Sequence, residues 1–483
     1  MSSALASTVT ANYRRSPFKS ASSTRNSRMP PVTFAMTTSP WGCWEPEQNR
    51  SLDRDSGTSC PSYPRHARLL KKDKRMKKKS LKTETHGMRL SLGDLEGQGG
   101  EGEVYRARNV ATGETLAVKL FADKFRTPDT IQRIRYLARL NIQNESPVLF
   151  GPIDTIVNGE VGHVSRWADG VSLEDILKNP QFTLMDGIQM CLAIAQGVGV
   201  LHAKQVAHGD IQSLNIKVHM DGGAARVALI DFDNYRSPAV PLPRMMGQHL
   251  YMAPELRQRS DAVPDVGSDK YELAIVFHEI LLLRHPAAGY DATEDGFLNA
   301  MCSGVWTQDR ARNRKDGSAL GGYPVTILNA DIENLFRRSL SRDIGMRPGA
   351  FDWKDALSKA LNAVGVCPSC GVQFIVDSSK VACPLTSCRK KFPDLRLVFK
   401  GREIPLNSGA VAVGRPDLGG AHKVSARHAV FHKIGPETWV TAVGSNPTFR
   451  LAGGKWFQLT NNMKLLVQKG DKLRFADVEA ELA

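Results

Sequence analysis

A glycine-rich segment, Gly97-Gln98-Gly99-Gly100-Glu101-Gly102, runs into Glu103-Val104-Tyr105 and is followed by Ala117-Val118-Lys119. Glycines at 97, 99 and 102 permit a backbone at positive φ whose N–H groups lie over phosphates. A dinucleotide-binding turn would lead into a helix, whereas a strand pattern follows here. Glu114 to Phe121 alternates as a second strand, so the Lys119 ammonium can reach the α- and β-phosphates beneath the turn. Val104, on the strand leaving the turn, is a further candidate for the nucleotide site. Downstream, Asp210 can accept a hydroxyl proton, and Asn215, five residues on, can ligate a cation. Asp231 ends the apolar run Val227 to Ile230 and offers a hard oxygen to Mg2+. Each segment alone is a weak signal. In this order they suit gripping ATP with Mg2+ and moving its terminal phosphoryl group.

Such groups need elements to hold them. Thr183 to Ala203 carries apolar residues at helical spacing, among them Leu184, Ile188, Cys191, Ile194, Val198 and Leu201, and delivers the chain to the Asp210 segment. Pro128 to Leu140 reads as a shorter helix with Ile131, Ile134, Leu137 and Leu140 on one face.

At this point the segment 88–364 resembles a eukaryotic-type protein kinase domain of the kind also found in bacteria, with the α+β bilobal fold which that implies. Tyr251-Met252-Ala253-Pro254-Glu255 is similar to the motif closing the activation segment, and Asp269-Lys270-Tyr271-Glu272 to the helix whose aspartate holds the catalytic loop. Arg347-Pro348 is similar to the late arginine that pairs with the glutamate, here Glu255. The resemblance implies ATP-dependent phosphorylation of protein Ser or Thr hydroxyls. It gives Asp210 and Lys119 catalytic roles and makes Asn215 and Asp231 the magnesium ligands. Gly97, Gly99, Gly102, Val104 and Lys119 would line the ATP site, and Glu255, Asp269 and Arg347 would be structural. Several residues depart from the pattern. Gly209 replaces the arginine that reads an activation-loop phosphate, Gln212 a lysine near the γ-phosphate, and Asp233 a glycine. The Pro128 to Leu140 helix has no glutamate to clamp Lys119; Gln132, Arg133 and Arg135 stand there, and Asp129 at its start serves only if the helix shifts. Either the pair is absent or another carboxylate supplies it. A nucleotide-binding pseudokinase scaffold is the alternative reading.

Cys367-Pro368-Ser369-Cys370 and Cys383-Pro384-Leu385-Thr386-Ser387-Cys388 form two knuckles around a short strand pattern, Val372 to Val376. Four thiolates can enclose structural Zn2+ and leave no open position for catalysis. The segment 365–394 looks like a zinc ribbon. From 395 to 483 short alternating runs follow: Leu397 to Phe399, Ala410 to Val413, Ala429 to His432, Trp439 to Val443, Leu465 to Val467 and Lys472 to Phe475. They form an all-β sandwich pattern. Within it, Gly414-Arg415, Ser425-Ala426-Arg427-His428 and Gly444-Ser445-Asn446-Pro447-Thr448-Phe449 resemble the signatures of a forkhead-associated (FHA) domain. That resemblance implies phosphothreonine reading, with Arg415 and Ser425 on the phosphate, Asn446 on the peptide backbone and His428 bracing the loop.

The sequence is therefore read as multidomain: a kinase fold, a small zinc ribbon and an all-β FHA sandwich. Its 483 residues suit roughly three domains. The net charge of +15 is uneven, because residues 1–87 hold 17 Lys or Arg against 6 Asp or Glu, a net of +11. That stretch reads as a disordered basic tail. Its basic run, Arg65 to Lys82, invites nucleic acid by counterion release, but a plain solvated tail is favoured and nucleic acid is disfavoured as a partner. The expected partners are proteins bearing Ser or Thr hydroxyls, phosphothreonine-containing proteins, and the chain's own tail once phosphorylated. Without a secretory signal pattern at the start, or an uninterrupted apolar run near the roughly 20 residues of a membrane span, the expected location is cytoplasmic.

Overall fold

The computed structural model describes residues 80–483 except 180, 222–223, 242–249, 260, 289–293, 305, 310–321, 378 and 407–408. Residues 1–79 of the expected tail, with most of its basic run, lie outside the described residues. The remainder, 80–87, corrects the boundary placed at 88. Ser80–Lys82 is a strand, β1, antiparallel to β2 (Arg89–Gln98). Leu81 buries its side chain in the small-lobe core between flanking exposed residues, and after it Thr85 N and His86 N donate to the Asp154 carboxylate at 3.0 and 2.8 Å.

β1 and β2 continue into β3 (Gly102–Asn109), β4 (Thr115–Phe121), β5 (Pro152–Ile156) and β6 (Gly162–Arg166), a six-stranded sheet of order β1-β2-β3-β4-β6-β5. Alternation in β4 sends Leu116, Val118 and Leu120 into the core with Leu90, Leu92 and Val164, and leaves Lys119 on the other face. Between β4 and β5 lies the helix α1 (Pro128–Leu140), begun by Pro128 in its first turn and by Thr127, whose hydroxyl accepts from Thr130 N.

In the large lobe the Leu184–Ala203 helix starts with a capping box, Thr183 with Asp186. By length and composition it is apolar enough to cross a membrane, although polar residues interrupt its apolar runs. Most of it is buried against the Val266–Leu282 and Ala350–Leu361 helices, where an all-round apolar helix belongs in a protein core. The chain then enters the hairpin Ile216–Asp221 with Ala224–Leu229.

The cysteine segment opens with a small hairpin, Val364–Val366 with Gln373–Ile375. It does not form a core of its own. Phe374, Ile375, Val376 and Phe392 belong to the same hydrophobic cluster as the large-lobe helices. Gln373 Oε1 accepts from Met185 N at 3.0 Å in the first turn of the long helix, and Lys380 Nζ donates to Leu328 O at 2.8 Å.

Two antiparallel sheets follow. One has the spatial order Arg402–Pro405, Arg396–Phe399, Val478–Leu482, Lys472–Phe475, Thr448–Ala452, Lys455–Gln458; the other has Ala410–Val413, Ala429–Ile434, Glu437–Ala442, Lys464–Val467. They enclose one core containing Leu397, Phe399 and Phe475 from the first and Val413, Phe431 and Val440 from the second. The alternation pattern misses Arg402–Pro405, Thr448–Ala452, Lys455–Gln458 and Val478–Leu482, whose outward residues are charged or mixed.

Candidate active site and accessory sites

The register of the small-lobe sheet sets Lys119 opposite Val104 on β3 and His163 on β6. Its side chain is 13% exposed, and its ammonium lies 3.0 Å from Asp231 Oδ1 and 3.5 Å from Glu101 Oε2 and forms an ion pair with Asp233. Burial presses Lys119 toward its neutral form, yet the charges of Asp233 and Asp231 outweigh it and hold the ammonium protonated. Burial likewise opposes the Asp233 carboxylate, and Lys119 and His163 pull its pKa far below the ordinary range. Glu101 is pushed up to about 8, by burial first and then by a hydrogen bond with Asp233. Where α1 offers no glutamate, Lys119 is met by three carboxylates from two other places, the glycine-rich loop and the segment Asp231 to Asp233. Asp129 stays exposed in the first turn of α1.

The helix contributes a different group. Arg133 is buried, and its guanidinium donates to three backbone carbonyls, Asp233 O at 2.8 Å, Tyr235 O at 2.6 Å and Pro241 O at 2.8 Å. Tyr235 Oη returns a bond to Arg133 O at 2.7 Å. The sequence pattern marks Arg133 only as a residue that is not the expected glutamate. Its signal was a long cation at a core-facing helical position, beside Ile134 and one turn before Leu137.

Asp210 is held by two amides: Asn215 Nδ2 donates to its Oδ2 at 2.9 Å, and Gln212 Nε2 to its Oδ1 at 2.8 Å. This leaves the Asn215 amide oxygen as the face a cation could take. Ile230 N donates to Asn215 O at 2.9 Å, which ties the Asp210–Asn215 pair to the segment that carries Asp231 just past the strand Ala224–Leu229. Asp231 itself has φ of +61°, an uncommon conformation for a side-chain-bearing residue and one that proteins keep at functional positions. The backbone of the segment around Asp210 is fixed from beneath. Asp269 accepts from His208 N at 2.7 Å and Gly209 N at 2.9 Å, while Glu272 accepts from Ile211 N at 2.8 Å. Arg347 forks onto Glu255 at 2.7 and 2.8 Å.

The glycines behave differently from the expectation of positive φ. Gly97, Gly99 and Gly102 are not in the left-handed region. Gly102 is required because a Cβ would stand 2.1 Å from Leu120 O, so the constraint is close approach of β3 to β4; a Cβ at 97 or 99 would meet open space. Gly209 does need its freedom, with φ of +76° and the Asn234 carbonyl oxygen 2.5 Å from a Cβ position. Gly209→Ala is therefore expected to lower stability by about 1–3 kcal/mol, and Gly209→Arg, with its longer side chain, by at least as much. Urea midpoints unchanged in both variants would refute the steric account.

Residues 91–358, more than half of the chain, match the family described as protein kinase domain. The chain belongs to the protein kinase family. The kinase is 30% identical over 215 residues to the serine/threonine-protein kinase PknB of Mycobacterium tuberculosis, covering 42% of this chain and 33% of that one. It is 26% identical over 279 residues to the serine/threonine-protein kinase pkn2 of Myxococcus xanthus, 56% of this chain and 32% of that one. A probable serine/threonine-protein kinase of Streptomyces coelicolor is 28% identical over 216 residues, 42% and 31%. The kinase chain spans about one third of the length of these curated relatives.

Beyond the kinase domain, the sulfurs of Cys367, Cys370, Cys383 and Cys388 lie within 4.8 Å of one another, with Cys370 to Cys383 at 3.6 Å and Cys367 to Cys388 at 4.0 Å. A tetrahedral ion with bonds of about 2.3 Å sets sulfurs roughly 3.8 Å apart, so the quartet fits zinc. Burial opposes the Cys367 thiolate, but backbone N–H groups of Ser369 and Cys370 outweigh it and lower its pKa to about 7.

At one end of the C-terminal sandwich, Arg415 Nε donates to Val424 O at 2.9 Å and Arg415 N to Ser425 O at 3.0 Å. Ser425 Oγ lies 3.2 Å from Ser445 Oγ and accepts from Ser445 N at 3.1 Å. Fully buried His428 accepts from Ser425 N at 3.0 Å, and its other ring nitrogen meets Pro447 O at 3.3 Å. Asn446 Nδ2 donates to Lys423 O at 2.6 Å. The expected residues come together, and the structure adds Ser445, which its position within the Gly444 to Phe449 segment could have flagged.

Proposed function

We propose that the chain is an ATP-dependent protein serine/threonine kinase with a structural zinc site and a C-terminal module that reads phosphothreonine, acting in bacterial signalling. The observation that carries the catalytic part is the Asp210 carboxylate, oriented by Asn215 and Gln212 and tied through Ile230 to Asp231 and Lys119. Magnesium-bound ATP would supply the transferable phosphoryl group. Lys119 holds the α- and β-phosphates, Asn215 and Asp231 hold the cation, and Gly97, Gly99, Gly102 and Val104 cover the nucleotide. Asp210 orients the substrate hydroxyl and takes its proton. Gln212 brings no charge toward the γ-phosphate, so less of the developing charge is compensated than with lysine there.

In the carboxy-terminal module Arg415 offers a planar fork and Ser425 a hydroxyl donor for a phosphate, with Ser445 beside it and Asn446 for the peptide backbone. His428 and the Pro447 carbonyl brace the loop. The proposed partners are proteins with Ser or Thr hydroxyls, phosphothreonine proteins and the chain's own hydroxyl-rich segment Ser2 to Ser62; tethering raises their local concentration. The proposed compartment is the cytoplasm, where four free thiols stay reduced and can hold zinc.

Labelled-ATP transfer to a mixed protein substrate, followed by phosphoamino-acid analysis, tests the first part; label on serine or threonine is the expected result. For the second, Arg415→Ala is expected to weaken binding of a phosphothreonine peptide at least ten-fold, while the unphosphorylated peptide binds neither form. A second reading, the pseudokinase scaffold, draws on Glu101 lying among the phosphate-site groups. It predicts nucleotide binding with no transfer.

A further inference from the structure

We propose that Asp233, rather than a carboxylate from α1, is the permanent partner that positions the phosphate-binding lysine, so that the lysine clamp is built into the metal-binding segment itself. This rests on the kinase reading above. Three carboxylates meet Lys119, and their surroundings separate them. Asp231 has a 40% exposed side chain and is the proposed cation ligand; a cation held there would compete with the ammonium for its oxygens. Glu101 sits on the glycine-rich loop between Gly100 and Gly102, at the place phosphates would claim, and lies farther from the ammonium than Asp231, at 3.5 Å.

Asp233 is the most enclosed of the three. Its side chain is 8% exposed, it ion-pairs with Lys119, and His163 Nε2 lies 3.6 Å from its second oxygen. Its backbone carbonyl is held by Arg133 from α1. The usual glycine has no carboxylate with which to meet the lysine. The helix acts in a different way, because its arginine grips the backbone at 233, 235 and 241 instead of sending an anion to the lysine. Movement of α1 would pull on the segment after Asp231 and so act on Lys119 through Asp233.

The role is read from binding, independently of turnover. Calorimetric titration of the full chain compares the magnesium complex of a non-hydrolysable ATP analogue with adenosine, which lacks the phosphates Lys119 meets. Asp233→Asn and Asp233→Gly are expected to weaken the analogue at least ten-fold and adenosine less than two-fold, whereas Asp233→Glu stays within three-fold of the parent for both. Either of the first two variants that still binds adenosine decides the matter. Unchanged analogue binding overturns the assignment. So does loss of adenosine binding in both variants, which would make Asp233 a folding residue. A ten-fold loss in Glu101→Gln with none in Asp233→Asn gives the role to Glu101 and also overturns it. A parent chain that binds neither ligand refutes the nucleotide reading itself, and this assignment with it.

Discussion

Asp210→Asn is expected to leave nucleotide binding in place while cutting phosphoryl transfer by a factor of about 10² to 10⁴, the range that a positioned general base contributes. The substitution is nearly isosteric, and the loop around it does not depend on the carboxylate. Asp269 and Glu272 fix the backbone N–H groups of His208, Gly209 and Ile211 from the large-lobe side. The geometry therefore survives and the proton acceptor does not. The new amide would also face two donors, Asn215 Nδ2 and Gln212 Nε2, and its oxygen can satisfy only one of them well. Transfer rates at saturating MgATP, with the Michaelis constant for ATP measured alongside, check the split. A variant that retains more than about a tenth of the parent rate would remove Asp210 from the chemistry.

The parts of the site legible in the sequence are those fixed by local order. Asp210 and Asn215 share one short loop, Asp231 follows a buried strand, and Lys119 lies on a strand whose register with β3 follows from the turn between them. The partner of Lys119 was not legible, because it depends on which way a helix and a loop face after folding. The sequence shows that α1 lacks a glutamate, but only the packed structure shows Arg133 turned onto carbonyls and Asp233 turned onto the lysine. The same limit applies to Gly102, whose reason is the neighbouring backbone of Leu120 rather than its own φ. Boundaries suffered likewise. β1 carries one apolar side chain, Leu81, in a charged run and is held by pairing with β2 and by bonds to Asp154 that its own sequence does not show, and the cysteine segment, legible as a metal knuckle, could not reveal that its aromatic residues complete the core of the kinase large lobe.

That shared core makes zinc removal the second large effect. The hairpin flanking Cys367 and Cys370 has only three residues per strand, and Phe374 and Phe392 stack with ring centroids 5.4 Å apart between it and the second knuckle. So little structure cannot hold itself without its ion; in small zinc domains metal binding supplies about 10–16 kcal/mol and is the folding energy. Here the loss would spread. Fully buried Phe374 and Ile375 would leave the cluster shared with the Leu184–Ala203 helix, at about 1.5–3 kcal/mol for each side chain exposed. Met185 N would also lose its acceptor, Gln373 Oε1. Chelation, or Cys383→Ser, is therefore expected to lower the melting temperature of the kinase lobe by roughly 10 °C, since a lobe of this size shifts about 2–4 °C per kcal/mol. The lobe is identified in calorimetry as the transition that MgADP raises. One zinc per chain released on chelation, with that transition falling, is the expected result. If the MgADP-sensitive transition stays put while a separate small one disappears, the ribbon is an independent appendage and the common core contributes nothing to the catalytic domain.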